Sequence, residues 1–421
     1  MKNGPVFLKG CFFLLFLFFS PLSLHAADYS VDLLSIGQVR KAPITNQQQI
    51  PENGYVGGTA HFEKWNFSNQ TNMRFFRDFD SKLDEYDLYQ TVFHLEPAKA
   101  LTLDLGRQFV NQGFMVEILD GIQATVIPEE HVAVTGFSGI PRSMEFGQFR
   151  KNDLLLTGLS VGLKNVARTK ASVHGAWRSN NLHIMDLNSN DQVQVGGNFS
   201  HQFAVNMMPM FYSLAEYDTT GKVFNTATVG FDLYPSSRFS INGEGNYYNL
   251  SRDLDLQTVQ ATYSKGPTLN GRFAFTWKVV PQFLNLVPSY TFNRMGVTAT
   301  NDFKNAHQVD AALQLLLEDV GLRVEPAYYY AKSFGGSLKG ARLGLHKTFN
   351  DRLYADLTFD FTAYKKITND NDNAYSTIFW TGYEVAKGLT LSGGMEYNKN
   401  NLFDKDIRGS FRLDYHLNRG S

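Results

Sequence analysis

The stretch Leu353–Tyr364 reads Leu-Tyr-Ala-Asp-Leu-Thr-Phe-Asp-Phe-Thr-Ala-Tyr, with an apolar side chain at every second position from Leu353 to Ala363. Successive side chains of a β-strand point to opposite faces, so this alternation predicts a strand with one apolar and one polar face. The run is about twice as long as an ordinary globular strand of roughly 5–6 residues. A strand that crosses a bilayer at a tilt near 45° needs about 9–11 residues. The length therefore favours a membrane-spanning strand.

The same alternation recurs in 170–178, 239–247, 269–278 and 407–417. Short connections rich in turn-forming residues separate several of the strands, namely 96–99, 127–130, 234–237, 318–321 and 350–352. Longer polar connections are predicted at 68–84, 138–152, 179–191 and 367–373. Short turns at one end and long loops at the other are typical of outer-membrane barrels, whose strand number is even. We therefore predict an all-β protein, a transmembrane antiparallel up-and-down β-barrel of about 18 to 22 strands, with 18 or 20 preferred.

The ends of the chain do not follow this pattern. Residues 1–27 combine Lys2 and Lys9, the apolar run 11–20 and a small-residue ending, as a secretory signal peptide does. Residues 28–54 are interpreted as a loosely structured lead-in or a segment inside the lumen, 55–417 as the barrel and 418–421 as a tail. The single cysteine, Cys11, leaves with the signal peptide, so thiolate metal sites and a cysteine nucleophile are excluded. A net charge of −1 argues against a nucleic-acid partner.

One part of the chain carries a family resemblance. It contains Leu105-Gly106-Arg107-Gln108, then Gly113, then Leu119-Asp120-Gly121-Ile122 and the stretch VAVTGFSG at 132–139. This part resembles the bacterial porin-like family that includes the alginate-export barrels, in which an LGRQ strand end, a glycine-bearing loop and a DG strand start recur. The resemblance implies a monomeric outer-membrane barrel of about 18 strands with a charged lumen. The dense arginine-lined constriction of the alginate exporter itself is not found here.

The alternation also predicts which charged side chains line the pore. The candidates are Arg107, Glu117, Asp120, Lys170, Arg178, Arg238, Glu244, Arg272, Lys278, Arg323, Glu325, Arg342, Asp356, Asp360, Glu396, Arg408, Arg412 and Asp414, with Asp232 and Asp310 as further acidic candidates. Rings of one charge sign set the ion preference of a pore. Basic and acidic candidates nearly balance in the clear strands, so we expect weak or no ion selectivity. Many of these side chains would simply solvate a wet wall.

Arg107 stands out among these candidates. It shares its parity with Leu101, Leu103 and Leu105, which would point it at lipid at a cost of about 2–4 kcal/mol. We expect a bulge or strand end at Gly106 to turn Arg107 into the lumen or to the rim. Arg107, Glu117 and Asp120 would then anchor an inward-folded constriction loop over residues 108–119; the alternative is an ordinary external loop.

Aromatic residues make up 14% of the chain. An interfacial girdle is predicted from Tyr247, Trp277, Tyr328, Tyr330, Trp380 and Tyr415. Stacking of sugars in the lumen is the alternative and would use Tyr248, Tyr329, Tyr354 and Tyr364.

We therefore expect an outer-membrane channel for small polar solutes. No nucleophile elbow, zinc motif or phosphate-binding loop is present in the sequence, so neither an enzyme nor a cofactor is expected. The expected partners are outer-membrane lipid and small polar solutes, with a periplasmic or surface protein as a further possibility; the oligomeric state stays open. Two alternatives remain. The barrel could be a structural sleeve around a partner such as a multihaem cytochrome, or it could be an exporter of polysaccharide.

Overall fold

In the computed structural model, almost every described residue belongs to one antiparallel sheet. The structure describes residues 28–41, 48–63, 66–79, 83–112, 115–145, 148–151, 155–179, 192–205, 209–249, 267–297, 302–333, 336–366, 371–400 and 405–419. The predicted signal peptide, 1–27, lies outside the described residues. No helix within the described ranges is long and apolar enough to cross a membrane.

The strands follow one another along the sheet. They are β1 (Asp28–Lys41), β2 (Gln48–Gln49), β3 (Pro51–Phe62), β4 (Phe67–Asp78), β5 (Leu83–Ala98), β6 (Leu101–Gln112), β7 (Met115–Glu129), β8 (Val132–Glu145), β9 (Gln148–Lys151), β10 (Leu156–Val166), β11 (Thr169–Arg178), β12 (Gln192–Gln202), β13 (Met210–Asp218), β14 (Val223–Ser236), β15 (Phe239–Asn249), β16 (Pro267–Val280), β17 (Leu284–Val297), β18 (Asp302–Leu317), β19 (Leu322–Ser333), β20 (Gly336–Asn350), β21 (Leu353–Lys366), β22 (Asn371–Ala386), β23 (Leu389–Lys399) and β24 (Asp406–Arg419). A 3-10 turn, Glu318–Val320, joins β18 to β19.

The sheet closes into a barrel because β1 pairs antiparallel with both β3 and β24. The wall contains 22 strands, an even number as single-chain outer-membrane barrels require. The short β2 pairs with β1, and the short β9 pairs with β8. The preferred count of 18 or 20 strands is therefore wrong, whereas the closed antiparallel barrel is the architecture observed.

The count is too low because polar stretches were interpreted as loops. Residues 28–41 form the wall strand β1, although the sequence placed them in a lead-in. Most of the predicted connection 68–84 forms β4. The predicted connection 138–152 contains the last residues of β8 together with β9. Of the predicted tail, 418 and 419 belong to β24. Residues 180–191 and 367–370, in the other two long connections, lie outside the described residues.

The two ends of the barrel differ. At one end the connections are tight: Lys99 and Ala100 join β5 to β6, and Lys387 and Gly388 join β22 to β23. Gly388 has φ 77°, and a Cβ atom there would lie 2.2 Å from the carbonyl oxygen of His416, so the turn requires glycine. Both ends of the wall meet here, since Tyr29 pairs with Arg419. We call this the turn end and the opposite end the loop end.

Cross-strand partners share a face of the sheet, so the registers assign every wall residue to one of two faces. One face carries rows such as Leu345, Leu357, Phe379 and Met395 on neighbouring strands. Leu357, Phe379 and Met395 are exposed, Met395 to 62%, and Leu345 is partly exposed. The row one residue away carries Arg323, His346, Asp356 and Trp380. A closed sheet with one apolar and one polar face is stable in lipid only with the apolar face outward. We call the two the outward face and the inward face.

Candidate channel lumen

Nearly all predicted pore-lining residues occupy inward positions. Those in strands are Glu117, Lys170, Arg178, Glu244, Arg272, Lys278, Arg323, Glu325, Arg342, Asp356, Asp360, Glu396, Arg408, Arg412 and Asp414. Arg238 lies in the tight turn between β14 and β15. The exceptions are Arg107 and Asp120. The registers thus put these side chains on the inward face, and that they line a pore stays a prediction.

Several inward arginines are held by carboxylates on the wall. Arg342 Nε donates to Asp360 Oδ2 at 2.8 Å across β20 and β21. Arg412 donates two hydrogen bonds, of 2.7 and 2.8 Å, to Asp414 two residues along β24. The side chain of Arg342 is 58% exposed. Exposed ion pairs of this kind add only about 0–1 kcal/mol to stability. Their main effect is to cancel charge at the lumen surface.

The registers also place inward a set of charged residues that the sequence analysis missed. They include Asp32, Arg40, Arg74, Asp87, Asp104, Glu216, Asp218, Lys304, Asp372, Glu384 and Asp406. Several lie in strands taken for loops or lead-in, where no face could be assigned. Most of the additions are acidic, so carboxylates outnumber lysines and arginines on the described inward face.

Arg107 and Asp120 lie opposite each other on β6 and β7, on the outward face. Arg107 donates from Nε to Asp120 Oδ1 at 2.6 Å and from Nη2 to Oδ2 at 3.0 Å. Arg142 on β8 donates to Asp120 Oδ2 at 2.5 Å. A carboxylate shared by two guanidinium groups offsets much of the cost of placing them on an apolar face. We call Arg107, Asp120 and Arg142 the outward ion cluster.

The expectation that Gly106 turns Arg107 into the lumen is wrong. Gly106 does have φ 116°, and a Cβ atom there would lie 2.3 Å from the carbonyl oxygen of Thr91. The pairing nevertheless continues from Val92–Gly106 to Thr91–Arg107 without a register shift. The face of Arg107 is therefore unchanged, and its charge is satisfied by neighbours on that face.

Above this level β5 and β6 separate. Their pairing stops at Thr91–Arg107, although β5 extends to Leu83 and β6 to Gln112. Arg107 Nη1 donates to the backbone oxygen of Leu88 at 2.7 Å. The Arg107 guanidinium group thus supplies a hydrogen bond to a β5 carbonyl that has no backbone partner on β6. Because the same group also binds Asp120, it links β5 to β7.

At the loop end of β6–β11, an apolar cluster is buried on the inward face of the wall. Val110, Leu119, Phe137, Leu156 and Ala176 form a buried cluster on the inward face, with Val110 and Leu119 fully buried. Glu117 on β7 forms an ion pair with Arg178 on β11, although β8 and β10 lie between those strands. Further up, β9 comes into contact with β5. Because β6 and β7 separate β5 from β8 in the wall, the β8–β9 hairpin reaches β5 by crossing them.

This arrangement corrects the predicted constriction loop. Residues 108–112 and 115–119 belong to β6 and β7, and Gly113 and Phe114 lie outside the described residues. Of the three predicted anchors, only Glu117 faces inward. The β8–β9 hairpin is the element that leaves the wall.

Inward aromatic rings lie flat against glycines of the next strand. A Cβ atom at Gly382 would lie 2.5 Å from the ring of Tyr354, and one at Gly394 would lie 2.2 Å from the ring of Trp380. Trp380 is therefore an inward residue, and its assignment to the outward girdle is wrong. The other five predicted girdle residues and the four lumen tyrosines occupy the faces expected of them.

No protein-family model matches the chain, and no curated protein matches it. Among solved structures, the translocation pore of the P pilus usher PapC is similar with a TM-score of 0.51 at 10% identity, covering 93% of this chain and 100% of that chain. OccAB3 of Acinetobacter baumannii has a TM-score of 0.47 at 11% identity, covering 93% and 99%. OccK3 of Pseudomonas aeruginosa has a TM-score of 0.46 at 10% identity, covering 96% and 99%. At these identities the likeness concerns the fold.

The closed antiparallel wall, apolar outside and polar inside, with both of its ends at the turn end, is the fold of a transmembrane β-barrel of the outer-membrane type. The outward face places the barrel in a lipid bilayer.

Proposed function

We propose that this protein is a porin-like channel through which small polar solutes cross the bacterial outer membrane. The observation that carries the proposal is the wide polar lumen. A barrel of about eight strands is filled by its own side chains, whereas barrels of 16–18 strands enclose an aqueous channel. A wall of 22 strands is wider still. The longest interval between consecutive strands is 250–266, which is too short to supply a plug domain.

The β8–β9 hairpin supports restricted passage at the loop end. β9 contacts β5 across β6 and β7, and the buried cluster around Leu119 lies on the inward face of β6–β11. Solutes that enter from the loop end would therefore pass beside this hairpin before they reach the turn end. A channel of this shape selects by size and charge.

The test is conductance of the purified, folded barrel in a planar bilayer, with liposome swelling for sugars of increasing size. Folding is checked first by heat-modifiable gel mobility. We expect stable conductance steps and swelling that slows as the sugar grows. A folded, heat-modifiable barrel that conducts no ions and passes no sugar would contradict the proposal.

The strand number also favours a second candidate, a sleeve around a partner protein. Barrels of 22 strands among transporters hold a plug in their lumen, so the width exceeds what small solutes need. The discriminating experiment is purification from the native membrane under mild detergent, with haem staining of the co-purified material. A stoichiometric haem protein together with a blocked lumen would favour the sleeve; an isolated, conducting barrel would favour the channel.

A further inference from the structure

The charge of the lumen is not evenly spread around the wall. On the inward face of β19–β24, each arginine is paired with a carboxylate: Arg323 with Glu325, Arg342 with Asp360, Arg408 with Asp406, and Arg412 with Asp414. These pairs cancel within themselves and leave no net charge on the surface. The sign of this side of the lumen is therefore set by the carboxylates that remain.

Besides Asp372 at the loop end, four inward carboxylates of β18–β24 and β1 have no lysine or arginine ion pair among the described residues: Asp32, Asp310, Asp356 and Glu384. Asp356 pairs with His346 at 2.6 Å, and Asp32 pairs with His416. The hydrogen-bond donors to Asp310 are Ser289 and Gln308, and the donor to Glu384 is the backbone N–H of Gly388. We call these four residues the acidic arc.

The acidic arc is accessible to solutes. The side chain of Asp32 is 59% exposed and that of Asp356 is 40% exposed. Asp32, Asp356 and Glu384 all lie close to the tight turns, so they surround one side of the turn-end mouth. The inward cations of the same strands that lack a carboxylate partner, Arg40 and Lys304, lie at the loop end.

Across the lumen the turn end is basic. Lys170, Arg238 and Lys278 lie near the turns of β11, β15 and β16. A solute cation in the mouth is therefore repelled from that side and attracted to the acidic arc. Acidic groups around a pore favour cations, and carboxylates are in the majority on the inward face as a whole.

We propose that the channel prefers cations and that small cationic solutes, such as inorganic cations and organic ammonium compounds, pass along the acidic arc. This inference rests on the proposed channel function. It replaces the near balance of charge expected from the sequence, because the registers add more acids than bases to the inward face.

The experiment is the reversal potential of the purified barrel in a planar bilayer under a tenfold KCl gradient. We expect a reversal potential whose sign shows that K⁺ permeates more easily than Cl⁻. The preference should weaken in concentrated salt, because the Debye length falls from about 10 Å at 0.1 M to about 3 Å at 1 M. In the variant D32N/D310N/D356N/E384Q the potential should move towards zero, with conductance retained because each change is nearly isosteric.

Two further variants separate the role of the arc from a general effect of charge. E52Q removes a carboxylate on the outward face and should leave the potential unchanged. R342Q frees Asp360 from its ion pair and should strengthen the cation preference. A conducting wild-type barrel with zero or anionic selectivity would overturn the inference and leave the channel standing, as would an unchanged potential in the quadruple variant. A folded barrel without conductance would overturn both proposals.

Discussion

The phenol ring of Tyr329 on β19 crosses Gly340 on β20, and its hydroxyl group donates a hydrogen bond to Asp360 on β21 at 2.5 Å. Tyr212 makes the same crossing over Gly230, and its hydroxyl group donates to Glu244 at 2.7 Å. In each case the side chain reaches a second-neighbour strand because the strand between them has no side chain at that point. The glycine is thus a condition for the aromatic to lie flat on the lumen wall.

Substitution of Gly340 by alanine should displace this ring. A Cβ atom at Gly340 would lie 2.3 Å from the Tyr329 ring, so the ring must lift into the lumen or the strands must shift. Overpacking of this kind costs about 1–3 kcal/mol. The measurement is the free energy of unfolding of the barrel in lipid vesicles, with tryptophan fluorescence as the signal that reports unfolding. Gly245 on the outward face has no atom within 4 Å of its added Cβ, so G245A is the control and should be nearly neutral. If G340A and G245A are both as stable as the wild-type barrel, the Tyr329 ring does not lie against Gly340.

The outward ion cluster makes a prediction about stability. The change D120N removes the only carboxylate that the structure shows between Arg107 and Arg142, leaving two guanidinium groups on the apolar face. An arginine facing lipid near the middle of a barrel costs about 2–4 kcal/mol. We expect D120N to lower the free energy of unfolding by roughly this amount. The triple variant R107L/D120L/R142L should be more stable than D120N, because no uncompensated charge is left. If D120N is as stable as wild type, the cluster does not face lipid.

Cysteine labelling tests the assignment of faces directly. The only cysteine of the chain is Cys11, so each introduced cysteine is unique once the predicted signal peptide is removed. Met395 and Glu396 are neighbours on β23 that point to opposite faces. A charged, membrane-impermeant maleimide should label E396C rapidly in reconstituted barrels and M395C at least ten times more slowly. Equal labelling rates would show that the two faces are not separated by lipid.

The ion pair between Glu117 and Arg178 should stabilise the loop end. Both side chains are about one quarter exposed, and they join β7 to β11 across two intervening strands. We expect E117Q to cost about 1–2 kcal/mol, towards the lower end of the roughly 1.5–3 kcal/mol for charged hydrogen bonds because both side chains are partly exposed, and to increase current noise. Arg323 and Glu325 lie two residues apart on one strand with Arg323 half exposed, so R323Q should cost less than about 1 kcal/mol. If E117Q has the same current noise and the same stability as the wild-type barrel, the inward packing of β6–β11 does not depend on this pair.

The alternation in Leu353–Tyr364 was sufficient to predict a long amphipathic strand, and the registers put Leu357 and Asp360 on opposite faces as expected. The same reasoning failed for residues 28–41. There the pattern is polar at both ends, and the strand is defined by its partners on β3 and β24. It also failed for Trp380, whose aromatic side chain lies over Gly394 on the inward face. A large aromatic ring is compatible with either face of the sheet, so the residue type alone does not tell which face it occupies.

By itself the sequence determined the barrel class and the faces of its clearest strands, because the direction of a side chain along a strand depends only on parity. The tertiary structure alone decided the strand number, the separation of β5 from β6, the outward ion cluster and the acidic majority of the lumen. These features depend on which residues oppose each other across strands far apart in the chain, as Tyr29 opposes Arg419. Such pairing is a property of the closed sheet as a whole, and no local stretch of residues contains it.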